Sequence, residues 1–485
     1  MKALLKTLRW PAEDRDRRRL ALWTADEIAA ATGGTASGAF QVAGVEMDSR
    51  DVRSGDLFFA LKGETSDGHL YLDKAFANGA AAAVVERPIA QPHILVNDTS
   101  SALELLAKAA RNRASARIIG VTGSVGKTGV KEAIFAALER GSKGAAHRSV
   151  RSYNNHVGVP LSLARMPARS RFGVFEIGMN HEGEIAALTA QVRPHVAVIT
   201  AIAPAHIENL GSEEAIARAK AEIFSGLEPG GHAVIPADGP HYPRLRDAAL
   251  AAGAQVLAFG RAAGSQVRLL DAIPSANGGS LVTAAIEDRR MCYSVAEPGD
   301  HWVLNSLAVM AAVHAAGADL GAAGLALAEM GGLKGRGARH RLAVPGGHAL
   351  LIDESYNANP ASMRATLAQL GATPATRRIA VLGSMKELGE FSPSFHAQLA
   401  EPLASAHVDY AILVGEEMLA LARQLGKAGG KALGNLVAYA HCQDPGEAIA
   451  KLEEFGLAGG DAVLVKGSNA VGLGRVVARF TGREG

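Results

Sequence analysis

The sequence predicts an α/β protein with three domains. Its 485 residues are enough for about three domains at roughly 150 residues each. In the middle of the chain the short apolar runs RIIGV, FGVFEI, VAVITAI and AVIP alternate with helix-forming stretches, and ALLID, RIAVLG, YAILVG and AVLVKG do the same near the end. Such alternation is typical of βαβ units around a largely parallel sheet.

The pattern divides the chain into four segments. Residues 1–20 form an N-terminal extension, and residues 21–114 mix short strands such as DLFFAL with helical stretches, which predicts a small α/β domain. Residues 115–340 are predicted to form a central α/β domain, and residues 341–485 a second, doubly wound sheet. Two open α/β domains in succession imply a cleft that closes on ligands.

Composition excludes several classes of protein. Hydrophobic residues make up 48% and charged residues 20%, with a net charge of +2, so nothing in the charge balance favours nucleic acid or a membrane surface. Cys292 and Cys442 have neither metal-ligand nor redox spacing, which is typical of the reducing cytoplasm. The apolar run at the N-terminus is too short for a signal peptide, and no transmembrane segment is predicted.

The segment RIIGVTGSVGKT, residues 117–128, is the most specific signal in the chain. A glycine-rich turn between a strand and a helix lets backbone N–H groups converge on phosphate oxygens. The usual phosphate loop has four residues between its glycines and this one has two, so it is either a shortened loop or an ordinary glycine-rich turn. The predicted loop consists of Thr122, Gly123, Ser124, Val125, Gly126, Lys127 and Thr128.

Two polar side chains follow apolar strands of the central domain. Glu176 ends FGVFEI, and a buried carboxylate needs a partner, either a metal ion or a nearby lysine or arginine. His206 follows VAVITAI and is either structural or a metal ligand. Asn180 and His181 lie on the turn after Glu176, at the edge of the sheet where ligands bind.

The remaining candidates have weaker local signals. Lys220 lies near the edge of the apolar stripe of its predicted helix, and this spacing predicts a solvated surface lysine. Asn305 lies in the first turns of another helix, where an amide can contact a purine. Arg339 lies in a basic boundary segment that is either a solvated patch or a source of positive charge for a transferring phosphate. The loop ESYNANP follows the strand ALLID.

Together and in this order, these segments resemble the Mur ligase family, ATP-dependent amide-forming enzymes of peptidoglycan precursor synthesis. TGSVGKT is similar to the family's shortened nucleotide loop, and DSRDVRSGDLFFALKGETSDGH to a uridine-binding N-terminal domain. SYNNHVGVP, EIGMNHEGEI, HIENLGS, DESYNANP and VLVKGSNAVGLG resemble the members that add D-alanyl-D-alanine. The resemblance implies a uridine-binding domain, a P-loop-type mononucleotide-binding domain and a Rossmann-like ligase domain.

The resemblance also implies roles for individual residues. Catalysis is assigned to Lys127, Lys220, His206 and Arg339. ATP would contact residues 122–128, Asn305 and Arg339. Mg²⁺ would be held by Thr128, Glu176, His206 and Lys220, the last if it is carbamylated. The substrates would contact Ser49, Arg50, Asn154, Asn155, Asn180, His181, Glu354, Tyr356, Asn357 and Asn359.

The implied reaction is ATP-dependent ligation of D-Ala-D-Ala to the terminal carboxylate of UDP-N-acetylmuramoyl-tripeptide, by a cytoplasmic monomer. The uridine-domain resemblance argues against a folate substrate. The alternatives are a ligase that adds the third amino acid, an NTP-dependent switch that makes no bond, and a non-catalytic descendant. Ser384 stands where the family commonly shows aspartate, and residues 1–20 are unusual for it.

Overall fold

We describe a computed structural model of the chain over residues 21–63, 66–275, 278–427 and 438–482. The N-terminal extension therefore lies outside the described residues. The chain divides into two compact units, which are described separately. The first unit comprises residues 1–118, 144–177 and 187–193, and the second comprises residues 119–143, 178–186 and 194–485.

The first part of the chain forms a small sheet covered by helices. The strands of this part are β1 (Trp23–Thr24), β2 (Thr35–Ala36), β3 (Gln41–Val42), β4 (Gly44–Glu46), β5 (Asp56–Phe59), β6 (Ala82–Val85) and β7 (His93–Leu95), of which β1 and β3 form a separate antiparallel pair. Its helices are α1 (Ala25–Thr32), α2 (Leu72–Ala77) and α3 (Thr99–Arg113), with a 3₁₀ turn at Gly68–Tyr71. The sheet order is β2-β7-β6-β5-β4, and only the β2–β7 pair is antiparallel.

The middle of the chain alternates strands and helices as predicted. Its strands are β8 (Arg117–Thr122), β9 (Ala146–Arg148), β10 (Phe172–Glu176), β11 (Val196–Ile199), β12 (His232–Pro236), β13 (Gln255–Gly260), β14 (Val267–Pro274), β15 (Ser280–Ile286) and β16 (Arg289–Val295). Its helices are α4 (Lys127–Ser142), α5 (Gly158–Ala164), α6 (Glu184–Val192), α7 (Ile207–Leu210), α8 (Glu213–Ala221), α9 (Tyr242–Ala251), α10 (Asp300–Ala315) and α11 (Leu320–Glu329), with a 3₁₀ turn at Glu222–Gly226.

Strand pairing in this region is parallel first and antiparallel afterwards. In the second unit the order runs β8-β11-β12-β13-β14 with parallel pairs, and β14, β15 and β16 then form an antiparallel meander. In the first unit β9 and β10 pair in parallel. The largely parallel sheet is confirmed, while the meander is an addition that the sequence analysis did not predict.

The last part of the chain is a second sheet with helices on both sides. Its strands are β17 (Ala338–Val344), β18 (Gly347–Glu354), β19 (Arg378–Gly383), β20 (Tyr410–Val414), β21 (Ala438–Cys442) and β22 (Ala462–Lys466). Its helices are α12 (Pro360–Ala372), α13 (Ser392–Ala397), α14 (Ala400–Ser405), α15 (Leu419–Lys427), α16 (Pro445–Phe455) and α17 (Gly474–Thr481), with 3₁₀ turns at Gly389–Phe391, Glu416–Met418 and Asn469–Val471.

This sheet has the order β17-β18-β22-β19-β20-β21 and is parallel except for the β17–β18 hairpin. The chain adds β19, β20 and β21 successively toward one edge and then returns to place β22 between β18 and β19, which makes the sheet doubly wound, as predicted. Apolar runs in β19, β20 and β22 are buried and form its core. Across the described ranges, no helix is long and apolar enough to cross a bilayer.

Candidate active site

The predicted phosphate loop joins β8 to α4 in the second unit. Strand β8 ends at Thr122 and α4 begins at Lys127, with Gly126 as its N-cap residue at φ +87°. A β-carbon on Gly123, which has φ +146°, would collide with Oγ1 of Thr200. Both glycines are therefore required by the backbone path, and the ammonium group of Lys127 donates to the Gly123 carbonyl at 2.7 Å, closing the loop.

The loop is fixed to the end of the neighbouring strand β11. The Ser124 hydroxyl donates to the Ala203 carbonyl at 2.8 Å and accepts from the Ala203 N–H at 3.0 Å, while the Ser124 N–H donates to Ala201 at 2.8 Å. Oγ1 of Thr200 donates to the Val125 carbonyl at 2.5 Å. These bonds hold the loop between the ends of β8 and β11.

Two predicted ligand contacts lie at the start of α4. Thr128 is the second residue of this helix and is buried, in the region where the helix dipole favours anions. Asn305 lies on α10, and a β-carbon built on Gly126 would be 3.0 Å from its Oδ1 atom. The asparagine amide therefore lies directly against the phosphate loop.

His206 contacts the C-terminal part of the second unit. Its Nδ1 atom is 2.6 Å from Oε2 of Glu387, and this pairing lowers the pKa of the Glu387 carboxyl. The Glu387 carbonyl also accepts from the N–H of Glu208 at 3.3 Å. The predicted metal ligand thus has a carboxylate partner that the sequence analysis did not single out.

Lys220 is buried, and the prediction of a solvated surface lysine was wrong. It lies on α8 with 1% of its surface exposed. Burial lowers its pKa well below the usual lysine value, and the positive charge of Lys127 lowers it further. Within the described residues its ammonium group has no hydrogen bond or ion pair. The spacing argument failed because it considered one helix, whereas neighbouring elements bury this side chain.

Charged groups line a cavity of about 520 Å³ beside β17. Arg339 and Glu297 both line it. A β-carbon built on Gly337 would be 3.3 Å from Oε2 of Glu297 and 3.6 Å from Oε1 of Glu354. Burial raises the pKa of Glu297 to about 7, the positive charge of Arg339 opposes this rise, and the charge of Glu354 adds to it.

The loop after β18 contributes the predicted polar residues of the C-terminal domain. Burial raises the pKa of Glu354, whose Oε2 is 3.5 Å from Nζ of Lys466. The Lys466 ammonium also donates to the Asn357 carbonyl at 3.0 Å. Tyr356 is 40% exposed with the Arg336 guanidinium 4.3 Å from its ring centroid.

Asn359 connects this loop to the phosphate loop. Its side chain caps α12 by accepting from the Ser362 N–H at 2.9 Å, and the Ser362 hydroxyl accepts from the Asn359 N–H in return. The amide Nδ2 of Asn359 also lies 3.5 Å from the Ser124 carbonyl. The structure therefore brings the Glu354–Asn359 loop to the predicted phosphate site.

Within the first unit, Glu176 is paired with an amide. The carboxylate is buried at the end of β10, and its Oε1 accepts from Nδ2 of Asn154 at 2.8 Å. Oδ1 of Asn155 accepts from the Gly158 N–H at 2.8 Å and so holds the start of α5. All three predicted residues thus have local structural partners in addition to their proposed ligands.

Two further predicted substrate contacts of the first unit follow β4. The Ser49 side chain is buried and its carbonyl accepts from Nδ2 of Asn78 at 2.7 Å. Arg50 is exposed and pairs with Asp48 at 2.6 Å. These residues form a short polar segment between β4 and β5.

Asn180 and His181, which belong to the second unit, bind the start of α6. The Asn180 N–H donates to Oε2 of Glu184 at 2.7 Å, and Nδ1 of His181 is 3.1 Å from Oε1 of the same carboxylate. Both side chains are exposed. Their polar groups therefore stay accessible at the end of this turn.

Ser384 replaces the expected aspartate at a fully buried position. Its hydroxyl lies near Glu417, and burial raises the pKa of that carboxyl while hydrogen bonds from Lys386 and Ser384 lower it, giving about 2. The Lys386 ammonium forms an ion pair with Glu417. A carboxylate is thus present beside Ser384, but it comes from a different segment.

The carboxylates of the site do not form a metal cage. In the part of the chain that the structure describes, no three His, Cys, Asp or Glu side chains are close enough to hold a metal ion together. Mg²⁺ commonly uses one or two carboxylates and completes its shell with phosphate oxygens and water. The donor set is therefore consistent with a metal that arrives with a nucleotide.

Comparison with known proteins identifies the family. Residues 41–117 match the model "Mur ligase family, catalytic domain", residues 121–313 the Mur ligase middle domain, and residues 340–469 the Mur ligase glutamate ligase domain. The UDP-N-acetylmuramoyl-tripeptide–D-alanyl-D-alanine ligase of Escherichia coli K12 is 36% identical over 79% of this chain and 83% of its own length. The chain belongs to the Mur ligase family.

Other relatives agree with this assignment. The ligase of the same name from Bacillus subtilis 168 is 35% identical over 77% of this chain and 80% of its own. A crystal structure of MurF from Acinetobacter baumannii superposes with a TM-score of 0.80 at 30% identity, covering 95% of this chain and 99% of that one. MurF from Thermotoga maritima in complex with ADP gives 0.70 at 27% identity over 90% and 97%. The predicted α/β fold of three domains is confirmed.

Three side chains of the candidate site in this Mur ligase were not predicted from the sequence. Glu297, Glu387 and Lys466 were not singled out, although each contacts or faces a predicted residue. Lys466 ends the apolar strand β22, which is the same signal that identified Glu176. Glu387 and Glu297 lie in polar segments, where a carboxylate carries no local signal of its role.

Proposed function

We propose that this protein is the ATP-dependent ligase that joins D-Ala-D-Ala to the terminal carboxylate of UDP-N-acetylmuramoyl-tripeptide. Relatives with that name match it along most of its length. The geometric observation that carries the proposal is the contact between Asn359 and Ser124, because it unites the phosphate loop with the polar loop of the C-terminal domain. A nucleotide phosphate and an acceptor group could meet there.

The chemistry follows from the weak electrophilicity of a carboxylate, whose charge and resonance both repel a nucleophile. Transfer of the ATP γ-phosphoryl group to a carboxylate oxygen gives an acyl phosphate and ADP. The amine of D-Ala-D-Ala then attacks the acyl carbon, loses a proton, and expels phosphate as the amide forms. Lys127 and Arg339 provide positive charge for the oxygens of the transferring group.

Mg²⁺ would screen the phosphate charges when bound with ATP. Oxygen donors suit this ion, and we assign Thr128 as a ligand within the second unit. Roles for Glu176 and His206 as metal ligands are proposed on the family resemblance. His206 would have to exchange the Glu387 carboxylate for the metal, or bind through Nε2 while Glu387 orients the ring through Nδ1.

Carbamylation of Lys220 is part of the proposal. A neutral amine attacks CO₂, and the lowered pKa of this buried lysine favours the neutral form. The product carries a negative charge, so the unfavourable interaction with Lys127 becomes favourable. A buried cation without a partner would thereby become a paired anion.

Substrate contacts are assigned by the same reasoning. The polar segment at Ser49 and Arg50 is proposed to contact the uridine nucleotide. The peptide and dipeptide are proposed to contact the remaining residues, which are Asn154, Asn155, Asn180, His181, Glu354, Tyr356, Asn357 and Asn359. ATP would contact residues 122–128, Asn305 and Arg339. We further propose a cytoplasmic monomer.

An ADP-release assay tests the function against its alternatives. The enzyme is supplied with muramoyl dipeptide or tripeptide and with single amino acids or D-Ala-D-Ala. Release that requires both the tripeptide and D-Ala-D-Ala supports the proposal. Release with the dipeptide and a single amino acid would indicate the ligase that adds the third residue. Release of ADP without an acceptor would indicate an NTP-dependent switch. If no pair of muramoyl peptide and acceptor caused ADP release, the protein would be a non-catalytic descendant.

A further inference from the structure

Trp302 lies beside the phosphate loop and has no role in the proposed chemistry. It is on α10, one turn before Asn305, so the two side chains point to the same side of the helix. A β-carbon built on Gly129 would be 2.9 Å from Cη2 and 3.0 Å from Cζ2 of the indole. Asn305 and Trp302 therefore lie against Gly126 and Gly129, two positions three residues apart at the start of α4.

Gly129 makes room for the indole ring. Glycine inside a helix is less stable than alanine by about 1 kcal/mol. At this position, however, any larger residue would place its β-carbon against the ring of Trp302. Glycine, a poor helix former, therefore occupies position 129, one residue after Thr128, because the indole of Trp302 needs the space.

The indole ring of Trp302 lies beyond the expected positions of the ATP phosphates, on the side of the nucleoside. In a loop of this type the lysine reaches the β and γ phosphates, while the backbone at the helix start holds the phosphates closer to the nucleoside. Lys127 and Thr128 therefore mark the γ end, and the nucleoside leaves toward the helix residues that follow. Gly129 is the first of these residues, and Trp302 covers it.

The indole also has surface available for a ligand. Trp23, which belongs to the first unit, is 2% exposed and donates its indole N–H to the Ala164 carbonyl at 2.9 Å. Trp302 is only half-buried, and among the residues that the structure describes its N–H has no acceptor. A tryptophan that serves only as core would resemble Trp23.

We propose that Trp302 is a nucleotide-binding residue that stacks on the adenine base of ATP, next to the amide of Asn305. This inference rests on the proposed function, because it requires that the loop binds ATP. Stacking is tolerant of the base, since every base has a π face. Trp302 would therefore supply affinity, while Asn305 supplies hydrogen bonds to the purine edge.

Calorimetric titration of the full chain with ADP and Mg²⁺ tests the proposal. Trp302→Ala is expected to weaken ADP binding about tenfold or more, whereas Trp302→Phe stays within about threefold of wild type. Val303→Ala is the matched control, because Val303 is a buried neighbour on the same helix. It should lower thermal stability and leave the ADP affinity unchanged.

Inorganic tripolyphosphate separates stacking from an effect on the loop. It carries phosphates without a base, so Trp302→Ala should bind it as wild type does. Equal losses for ADP and tripolyphosphate would overturn the proposal, because the ring would then only shape the loop. Wild-type ADP affinity in Trp302→Ala would also overturn it. Failure of the wild-type protein to bind ADP would instead contradict the proposed function.

Fluorescence gives a second readout. The chain has three tryptophans, at positions 10, 23 and 302. An ADP-dependent change in emission that is present in wild type and absent in Trp302→Phe supports direct contact with the base. The same change in both proteins would place the base away from Trp302.

Discussion

The imidazole of His206 and the carboxylate of Glu387 form a 2.6 Å pair, and both residues have left-handed backbones, with φ of +60° and +66°. Non-glycine residues in this region are uncommon, and the conformation costs about 1 kcal/mol or more for each of them. Surrounding contacts must hold both turns. The Glu208 N–H, which donates to the Glu387 carbonyl, is one such contact.

We expect this pair to stabilise the second unit modestly. Glu387 has 51% of its side chain exposed, so solvent screens the interaction, and a coupling energy of about 0.5–1 kcal/mol is expected. A double-mutant cycle with His206→Gln and Glu387→Gln, measured by urea unfolding without nucleotide or metal, gives this value. Glu390→Gln, an exposed carboxylate nearby, should show no coupling to His206→Gln. A coupling energy of zero would mean that the two side chains do not interact.

Lys220 is expected to carry a carbamate. In ¹³C-bicarbonate solution near pH 8, the wild-type protein should show a carbamate carbon resonance that Lys220→Arg lacks. The signal should fade as the pH is lowered, because protonated amine does not react with CO₂. Lys131→Arg is the control, since Lys131 is also fully buried but pairs with Glu132 at 2.8 Å. Loss of the signal in the control variant, or its absence from wild type, would count against the assignment.

Local sequence signals predicted the parts of the site that one segment builds. The phosphate loop could be predicted because its two glycines, its lysine and its flanking strand and helix are contiguous, and the structure places the glycine-rich turn between β8 and α4. Residues whose environment comes from distant segments were not found. Lys220 looked solvated within its own helix, and nothing near Glu387 in sequence indicates His206 as its partner.

The fold also has elements that local sequence patterns predicted and elements that they did not predict. Parallel strands were predicted from alternating apolar runs and helices, which is a repeated local pattern. The second hairpin of the antiparallel meander had no such local pattern, because Glu287 and Asp288 connect β15 to β16, with Glu287 at φ +52°. A two-residue hairpin turn is usually signalled by asparagine or glycine, so this pair gave no indication of it.

Glu297 should make stability depend on pH. Burial raises its pKa to about 7 in the folded protein, against 4.5 for an ordinary glutamate. The folded state therefore holds a proton that the unfolded state has lost, and the free energy of unfolding falls as the pH rises through this window. Glu297→Gln cannot ionise and should be more stable than wild type by about 3 kcal/mol at pH 8, with little difference at pH 4.5.

Urea denaturation at the two pH values measures this difference. Glu214→Gln, which replaces an exposed carboxylate on α8, should leave the difference between the two pH values unchanged. If Glu297→Gln were destabilising at pH 8, the ionised carboxylate would be favourably paired with Arg339 and its pKa would not be raised, contrary to the expectation.

Lys127→Met should abolish ligation without unfolding the protein. The methionine keeps a side chain of similar length but removes the charge that faces the transferring phosphoryl group. It also removes the bond to the Gly123 carbonyl. Loss of one such donor typically costs about 3–4 kcal/mol of transition-state stabilisation, so turnover should fall by about 10² to 10³. Removal of the Lys127 charge should also raise the pKa of Lys220, because that charge contributes to lowering it.

ADP release and the thermal unfolding temperature of Lys127→Met are measured in parallel with those of the control variant Lys108→Met, which replaces an exposed lysine on α3. Near-wild-type turnover in Lys127→Met would contradict the role of the Lys127 charge in phosphoryl transfer.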